Sequence, residues 1–433
     1  MSIGRKIVMK KLLMLGTSYA SCEMIKYAKS IGVYTIVTDY LEPEQSVAKL
    51  ISDEYWMINT SDLDTLEKKC KEEKISGVCC GISEFNLEMA MELCRRLGLK
   101  SYCTPEAWHF SRDKEDFKTL CKKLDVPIAK DYYVSAELRD EELDKVDFPV
   151  VVKPVDLSGN RGISYCHNKE ELVEAYKYAL SCSKSDKIIV EKMLHGEEWY
   201  GTYACANGEV SLIALNAMYA QPGEPKNCYT ITTTISDHVE DYCNEISPKI
   251  EELLKAVGCT DGIVWVQVML DEDGCFYIIE MGYRMDGEMM FIPYKDLCGF
   301  DTIKWLVETA LGIEHDSSLL PEPQKKAYTD IATGMELWTN KSGVIARFEG
   351  YEEIAKLPSV FVENLKQVGD MAPMYRPVGV ITFATKTFEE FKTLVEKVNE
   401  TVHCYNEEGE DMIIKYTDFD YLKDIYEKGL RGE

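Results

Sequence analysis

Gln267 and Glu280 place two oxygen-bearing side chains on the two strands of a predicted β-hairpin. The segment WVQVMLDEDGCFYIIE has two strand-like runs separated by an Asp-Gly dipeptide at 273–274, which is favoured in two-residue hairpin turns. A turn that pairs Glu272 with Cys275 also pairs Gln267 with Glu280 on one face of the sheet. Hard cations such as Mg²⁺ take oxygen ligands of this kind. The same pair is also explained, without any ligand, as polar residues at a solvated sheet edge. Phosphate-binding residues elsewhere in the sequence would favour the Mg²⁺ site over this alternative.

Lys153 ends the apolar run VVVK, where strand alternation would otherwise direct an aliphatic residue toward the core. A lysine there needs an anion, or must extend its ammonium group to water. The sequence SGNRG begins five residues later, and Gly159 and Gly162 allow backbone N–H groups to approach phosphate oxygens. Lys153 and the SGNRG segment together predict a polyphosphate site. Lys153 alone is also explained as a lysine at the solvated end of a strand.

A second strand end carries residues that suit the rest of a nucleotide. The sequence VEKML places Glu191 and Lys192 at the end of a predicted strand. Extended backbone there can hydrogen-bond a flat purine, and Glu198 in the following loop can accept from ribose hydroxyls. Each residue by itself is ordinary, because a glutamate in a polar loop is usually only solvated.

The elements before these motifs alternate short apolar runs with amphipathic helices over residues 11–100. This pattern is typical of βαβ units and predicts a parallel sheet with helices on its faces. The helix near residue 90 has one apolar stripe, formed by Leu87, Ala90, Met91, Cys94 and Leu97. The first turn keeps only Gly16 of a G-x-G-x-x-G motif, although Asp39 ends the second strand, so the signal for NAD is weak.

The order of predicted helices and strands changes around residue 111. A helix with Ser111 near its start and Pro127 after its end precedes the buried strand FPVVVKP. A capping box at Asn168 opens the next helix, and the strand KIIVEKML follows it. After about residue 316 a last α+β unit is predicted, with strands in SGVIARFEG, SVFVENLKQVG and GVITFATK and a final helix that a capping box at Thr387 opens.

Composition narrows the class of partner. The 433 residues suit two to four domains, and the formal charge of −26 argues against both a nucleic-acid surface and an anionic membrane. No apolar run approaches ~18 residues, as a membrane-spanning helix requires. The 16 cysteines lack C-x-x-C spacing and resemble reduced thiols more than a disulfide framework or a zinc site. We therefore expect a cytoplasmic protein whose partners are small molecules.

The order of these motifs resembles the ATP-grasp superfamily of carboxylate-amine ligases. The resemblance rests on Lys114 after an aspartate, VVVKP with its glycine-rich loop, VEKML with a following G-x-E, the Gln/Glu hairpin, and Arg284 four residues after Glu280. It implies an α/β and α+β multidomain chain. Residues 1–110 are expected to form a parallel α/β domain, 111–315 the two-lobed grasp with its smaller lobe at roughly 155–195, and 316–433 a small α+β closing domain.

The resemblance also implies a role for each motif residue. The nucleotide, ATP, would be bound by Lys114, Lys153, Ser158, Gly159, Gly162, Glu191, Lys192, Leu194 and Glu198. Gln267 and Glu280 would hold Mg²⁺ or Mn²⁺, and Arg284 would be catalytic. Two positions depart from the family pattern, because the first metal ligand is usually Glu and the family's usual Asn two residues after the second is Gly282. One metal is then held loosely, or by Asp286.

The activity that the resemblance implies is activation of a small carboxylate, such as an amino acid, as an acyl phosphate, followed by attack of an amine to give an amide, ADP and phosphate. Three alternatives stay open: a carboxyphosphate-forming carboxylase or synthetase, a nucleotide-binding regulatory protein without catalysis, and an NAD-dependent oxidoreductase. A homodimer is compatible with the resemblance. Residues 216–236 either line the acceptor pocket or form a solvated loop.

Overall fold

The computed structural model describes residues 9–155 and 162–432. The N-terminal elements are β1 (Lys11–Leu15), α1 (Tyr19–Ser30), β2 (Tyr34–Thr38), α2 (Val47–Ile51), β3 (Glu54–Trp56), α3 (Leu63–Glu73), β4 (Gly77–Cys80) and α4 (Glu84–Leu97). The strands form a parallel sheet in the order β3-β2-β1-β4, which confirms the predicted βαβ series. Helix α4 begins after Ser83, whose side chain accepts from Asn86 N, and ends at Gly98 in the left-handed region.

A small antiparallel sheet follows. The elements here are α5 (Pro105–Arg112), α6 (Lys114–Lys123), β5 (Asp131–Tyr132), α7 (Asp140–Leu143), β6 (Val150–Pro154), β7 (Ser164–Cys166), α8 (Lys169–Cys182) and β8 (Ile188–Lys192). The strands pair in the order β5-β8-β6-β7, and α8 packs on β6 and β7 around a separate apolar core. This unit is the smaller of the two layers that enclose the site.

The larger layer is a long antiparallel sheet. Its central elements are β9 (Glu197–Ala206), β10 (Glu209–Ala220), β11 (Tyr229–Thr233), α9 (Val239–Asp241), α10 (Ser247–Val257), β12 (Gly262–Leu270), β13 (Phe276–Gly282), α11 (Tyr294–Cys298) and α12 (Thr302–Ala310). The C-terminal elements are β14 (Ile331–Trp338), β15 (Gly343–Glu349), α13 (Tyr351–Ile354), β16 (Val360–Asn364), β17 (Met371–Ala372), β18 (Pro377–Thr385), α14 (Phe388–Thr401), β19 (His403–Asn406) and α15 (Phe419–Arg431).

The C-terminal strands extend the central sheet. The order is β13-β12-β9-β10-β11-β14-β18-β16, so the backbone of β14 hydrogen-bonds directly to β11. Side chains of β14 thereby join the same cavity as those of β12 and β13. Only β17-β15-β19 forms a sheet apart among the described C-terminal residues. The domain boundaries at residues 110 and 315 stay predictions.

Local capping signals were reliable with one exception. Asn168 accepts from Glu171 N, and Thr387 accepts from Glu390 N, as the two capping boxes predict. Ser111, however, lies within α5, and the helix after it is capped by Asp113, which accepts from two backbone N–H groups of the first turn. A carboxylate near a helix N-terminus is favoured by the helix dipole as well as by these bonds.

No helix in the described part of the chain is long and apolar enough to cross a membrane.

Candidate active site

One cavity of about 560 Å³ lies between the small sheet and the larger one. Its lining includes most of the residues singled out in the sequence: Lys114, Lys153, Glu191, Lys192, Leu194, Glu198, Gln267, Glu280 and Arg284. Ser158 and Gly159 lie outside the described residues. Gly162 does not line the cavity; it has a φ of +76°, and a Cβ there would lie 2.7 Å from Pro154 Cγ. A glycine is thus required at position 162 because the backbone turns tightly against the end of β6.

The hairpin brings Gln267 opposite Glu280, which confirms the predicted pair. The turn that does so differs from the expected two-residue turn. Asp271 N donates to Cys275 O, and Gly274 has a φ of +78°, as in a three-residue loop with a bulge. The register shifts by one residue between Gln267 and Val268, and this shift offsets the longer loop. The expected pairing therefore holds beyond the bulge and fails next to the turn.

Glu280 is the acidic member of the pair and remains accessible. Its side chain is 37% exposed, and Lys114 Nζ lies 3.5 Å from its Oε2. A carboxylate and an amide oxygen on one face provide two hard ligands, and Mg²⁺ commonly keeps water and phosphate as its other partners. The two residues therefore fit a magnesium ion that bound nucleotide helps to hold.

Lys153 finds a protein anion that the sequence did not indicate. It and Glu191 lie on one face of the small sheet, because Glu191 pairs with Val151, two residues from Lys153. Glu191 accepts hydrogen bonds from both Lys153 and Lys118 of α6. Although burial opposes ionisation, the two lysines lower the pKa of the Glu191 carboxyl to about 2. Glu191 is thus an ionised anchor that fixes Lys153 beside the cavity.

Lys118 was missed in the sequence. Its one signal there is its position four residues after Lys114, which places both lysines on one face of α6. Lys118 is 6% exposed and also pairs with Asp131, but it does not belong to the cavity lining. Its contact with Glu191 spans 73 residues of sequence, so no local pattern reveals it.

Glu198 and Lys192 occupy the other predicted nucleotide positions. Lys192 Nζ lies 2.9 Å from Asp271 Oδ2 and is accessible. Burial raises the pKa of Glu198 to about 7, against the opposing effect of a hydrogen bond from the Tyr229 hydroxyl. Tyr229 and Met218, from the segment 216–236, both line the cavity.

Arg284 is held by a residue of the N-terminal part of the chain. Its Nε and Nη2 donate to Glu84 Oε1 at 3.3 and 3.1 Å, and its Nη1 donates to Met285 O at 2.8 Å. Its guanidinium carbon lies 5.2 Å from the centre of the Trp265 ring. Glu84 also pairs with Arg112, which lies outside the cavity lining. The arginine is therefore oriented at the cavity wall by a carboxylate, a carbonyl and an indole.

Gly282 has a structural explanation. It pairs with Trp265 across the hairpin, and a Cβ at Gly282 would lie 2.2 Å from two atoms of the Trp265 ring. The indole fills the space into which a longer side chain at position 282 would project. The predicted register already pairs these two residues, so the sequence contained this signal. The indole of Trp265 thus occupies the space beside position 282, where the family resemblance implies an asparagine.

We expect Gly282→Asn to destabilise the protein, because a side chain at this position must displace the Trp265 indole or the strand. Overpacking of this kind costs about 1–3 kcal/mol, which lowers Tm by several degrees. Gly287→Ala is the matched control, since nothing lies within 4 Å of a Cβ there. The double variant Gly282→Asn, Trp265→Ala should recover part of the loss. An unchanged Tm in Gly282→Asn would show that the indole does not restrict this position.

Comparison with known proteins agrees with this arrangement. Residues 113–317 match the family model described as carbamoyl-phosphate synthase L chain, ATP binding domain. The carbamoyl phosphate synthase large chain of Clostridium botulinum (strain Eklund 17B / Type B) is 27% identical over 282 residues, which is 63% of this chain and 26% of that protein. The chain thus spans about a quarter of the length of this relative.

Solved structures share the fold over nearly the whole chain. The L-amino acid ligase of Bacillus licheniformis has a TM-score of 0.73 at 18% identity, covering 92% of this chain and 99% of that one. The biotin carboxylase domain of Hydrogenobacter thermophilus 2-oxoglutarate carboxylase, solved as a dimer with MgADP and bicarbonate, has a TM-score of 0.74 at 18% identity, covering 98% and 95%. The chain therefore shares the ATP-grasp fold of these structures, and its residues 113–317 match the ATP-binding domain of the carbamoyl-phosphate synthase L chain.

Proposed function

We propose that the protein is an ATP-dependent ligase that activates a small carboxylate as an acyl phosphate and joins it to an amine, with release of ADP and phosphate. The observation that carries the proposal is the Gln267–Glu280 pair, which lies in the same cavity as Lys114, Lys153 and Arg284. Oxygen ligands, lysines and a fixed arginine around one cavity are the groups that phosphoryl transfer to a carboxylate requires.

The nucleotide end of the cavity is assigned to the small sheet and to the start of β9. Lys153 meets phosphate oxygens while Glu191 holds it in place. The backbone at Lys192 and Leu194 borders the adenine, and Glu198 accepts from the ribose. A cavity of about 560 Å³ is within the usual size range of small-molecule and cofactor sites.

The reacting end is assigned to the hairpin. Gln267 and Glu280 hold Mg²⁺, which when bound neutralises charge on the phosphoryl group. Lys114 adds a positive charge beside Glu280. Arg284 orients the carboxylate and stabilises negative charge on its oxygens, because a planar guanidinium donates to two oxygens at once. Closure of the small sheet over the cavity excludes water that would hydrolyse the acyl phosphate.

The direct test is phosphate release from ATP and Mg²⁺ against a panel of amino acids and small carboxylates, supplied singly and in pairs with amines. A ligase shows release that depends on a carboxylate, and an amide product when an amine is also present. Phosphate release that no member of the panel stimulates, together with tight nucleotide binding, would favour the regulatory protein instead.

A second candidate is a carboxyphosphate-forming enzyme that uses bicarbonate. It is favoured by the match of residues 113–317 to carbamoyl-phosphate synthase domains. Bicarbonate alone would then stimulate ADP release, whereas an amino-acid ligase would not respond to it. The homodimer stays a prediction, and light scattering of the purified chain checks it.

We expect Lys153→Met to weaken ATP binding more than Lys118→Met does. Both lysines neutralise Glu191, so both substitutions leave one cation beside a buried carboxylate and lower Tm. Only Lys153 lines the cavity, so only its loss removes a phosphate contact. Calorimetric titration of both folded variants with Mg·ATP measures the difference. Equal affinities of the two variants for Mg·ATP would show that Lys153 has a structural role and does not contact phosphate.

A further inference from the structure

Three acids line the same cavity without an ion pair to any described residue, and the proposed reaction does not use them. Asp286 and Glu288 follow β13, and Glu336 lies on β14; together we call them the acid trio. None forms an ion pair with any described residue. Asp286 is buried, and Glu288 and Glu336 are half-buried. Carboxylates are rarely removed from water unless they are paired. Their arrangement therefore calls for a positively charged ligand or for a structural reason.

The acid trio is held in place by the fold. Met290 N donates to Asp286 Oδ1 at 2.7 Å, and Trp338 Nε1 donates to Glu336 Oε2 at 2.9 Å. The backbone of Glu288 lies close over Gly334, where a Cβ would be 2.6 Å from Glu288 O. Strand alternation puts Gly334 and Glu336 on one face of β14, so the missing side chain lets Glu288 approach Glu336.

Two buried polar atoms at the acid trio lack a hydrogen-bond partner among the described residues. Asp286 and Tyr200 are each 4% exposed, and Asp286 Oδ2 and the Tyr200 hydroxyl make no hydrogen bond to a described residue. Both residues line the cavity. An unpartnered carboxylate oxygen and an unpartnered hydroxyl are thus part of the wall of one cavity.

Neither arginine of the lining forms an ion pair with the acid trio, although the positive charge of Arg284 partly opposes the rise in the pKa of Asp286 and Glu288. Arg284 is engaged by Glu84, Met285 O and Trp265, and it forms its ion pair with Glu84. Arg376 is exposed and donates to Tyr375 O. Burial, and then repulsion from the neighbouring acids, raises the pKa of Asp286 to about 7 and that of Glu336 to about 8. The ligand-free cavity therefore disfavours the charged form of these carboxyls, and a bound cation would favour it.

A divalent metal fits the acid trio less well than an organic cation does. A metal ion needs ligand atoms that lie close together. Among the described residues, His109, Asp113 and Asp116, on α5 and at the start of α6, have ligand atoms within 4.8 Å of one another. The acid trio is more widely spaced than such a cluster. A primary ammonium has three donors that point in different directions, and its charge is also attracted by an aromatic face such as that of Tyr200.

We infer that the acid trio and Tyr200 bind the protonated amino group of a substrate, so that the protein acts on a small primary amine or on an amino acid. The inference rests on the proposed ligase function and names its substrate class. The ammonium belongs either to the amine that attacks or to the carboxylate compound that is activated. Asp286 Oδ2 and the Tyr200 hydroxyl oxygen accept hydrogen bonds from the ammonium. The carboxylates of Glu288 and Glu336 add negative charge that balances its positive charge.

The test is calorimetric binding to the full chain saturated with Mg·ADP. The probes are 1,4-diaminobutane, L-alanine and, as a neutral analogue of the diamine, 1,4-butanediol. The variants are Asp286→Asn, Glu336→Gln and, as a control, Glu363→Gln, which changes a half-buried acid of the same sheet outside the cavity. We expect at least tenfold weaker binding of an ammonium probe in the first two variants, unchanged butanediol binding, and no effect in the control.

The probes also distinguish the two sources of the ammonium. Acid-dependent binding of 1,4-diaminobutane assigns the site to the attacking amine, whereas acid-dependent binding of L-alanine alone assigns it to the activated amino acid. At pH 9, above the raised pKa values of Asp286 and Glu336, removing either charge should raise Tm of the ligand-free protein, while a structural role for the acids would lower it. The opposite signs of the two effects separate a binding site from a structural cluster.

Two results would overturn the inference. One is binding of both ammonium probes that neither substitution changes. The other is loss of Mg²⁺ binding in Asp286→Asn with ammonium binding intact, which would make Asp286 a metal ligand. The affinity of each variant for Mg·ADP is measured in a separate titration. Failure of the wild-type protein to bind Mg·ADP would contradict the proposed function, whereas normal Mg·ADP binding without acid-dependent ammonium binding would contradict only this inference.

Discussion

Glu280→Ala is expected to abolish magnesium-dependent ADP release, whereas Gln267→Ala should lower it by only about tenfold. The ranking follows from charge, because a carboxylate attracts Mg²⁺ more strongly than a neutral amide does. Loss of the metal removes several kcal/mol of transition-state stabilisation, which corresponds to about 10³-fold or more in rate. The two residues face one another across the hairpin, so the substitutions probe the same point of the cavity.

Steady-state rates over a range of Mg²⁺ concentrations measure this difference. Gln267→Ala should recover much of its activity at high Mg²⁺, because the remaining carboxylate still binds the ion. Glu272→Ala is the control, since it removes an exposed acid from the same hairpin outside the cavity. Small and equal losses in the Glu280 and Gln267 variants would contradict the metal assignment.

Arg284→Lys should retain ATP binding and lose turnover by about 10²- to 10³-fold, the usual scale for removing a transition-state charge partner. A lysine keeps the positive charge but cannot donate from a planar fork to two oxygens. The structure also offers a structural role, because Arg284 connects the end of β13 to Glu84 of α4. Activity must therefore be measured per folded molecule.

Arg112→Lys provides the matched control for Arg284. Both arginines pair with Glu84, but only Arg284 lines the cavity. Thermal melts and single-turnover ADP formation on both variants separate the two roles. If both variants lose Tm to a similar extent and both keep their activity, Arg284 serves only to join the two parts of the chain.

Much of the fold was predictable from local patterns. Helix caps, the apolar stripe of α4 and the alternation of strands and helices depend on residues a few positions apart, and these predictions are confirmed. The Asp113 cap was missed because serine and aspartate both suit a helix start, and the preceding helix had no clear end signal. The extension of the central sheet by β14 was not predicted, because strand pairing across 100 residues leaves no periodic signal.

The sequence alone determined which residues meet across the hairpin and which motifs precede it. Gln267, Glu280 and the Trp265–Gly282 pair lie within 18 positions of one another, so strand alternation and one turn suffice to place them. Tertiary structure alone decided what charges those residues meet. Glu191 between two lysines, Glu84 on Arg284 and the acid trio beside Tyr200 each join elements far apart in the chain. Electrostatic environment depends on burial and on distance in space, and neither quantity is encoded by spacing along the sequence.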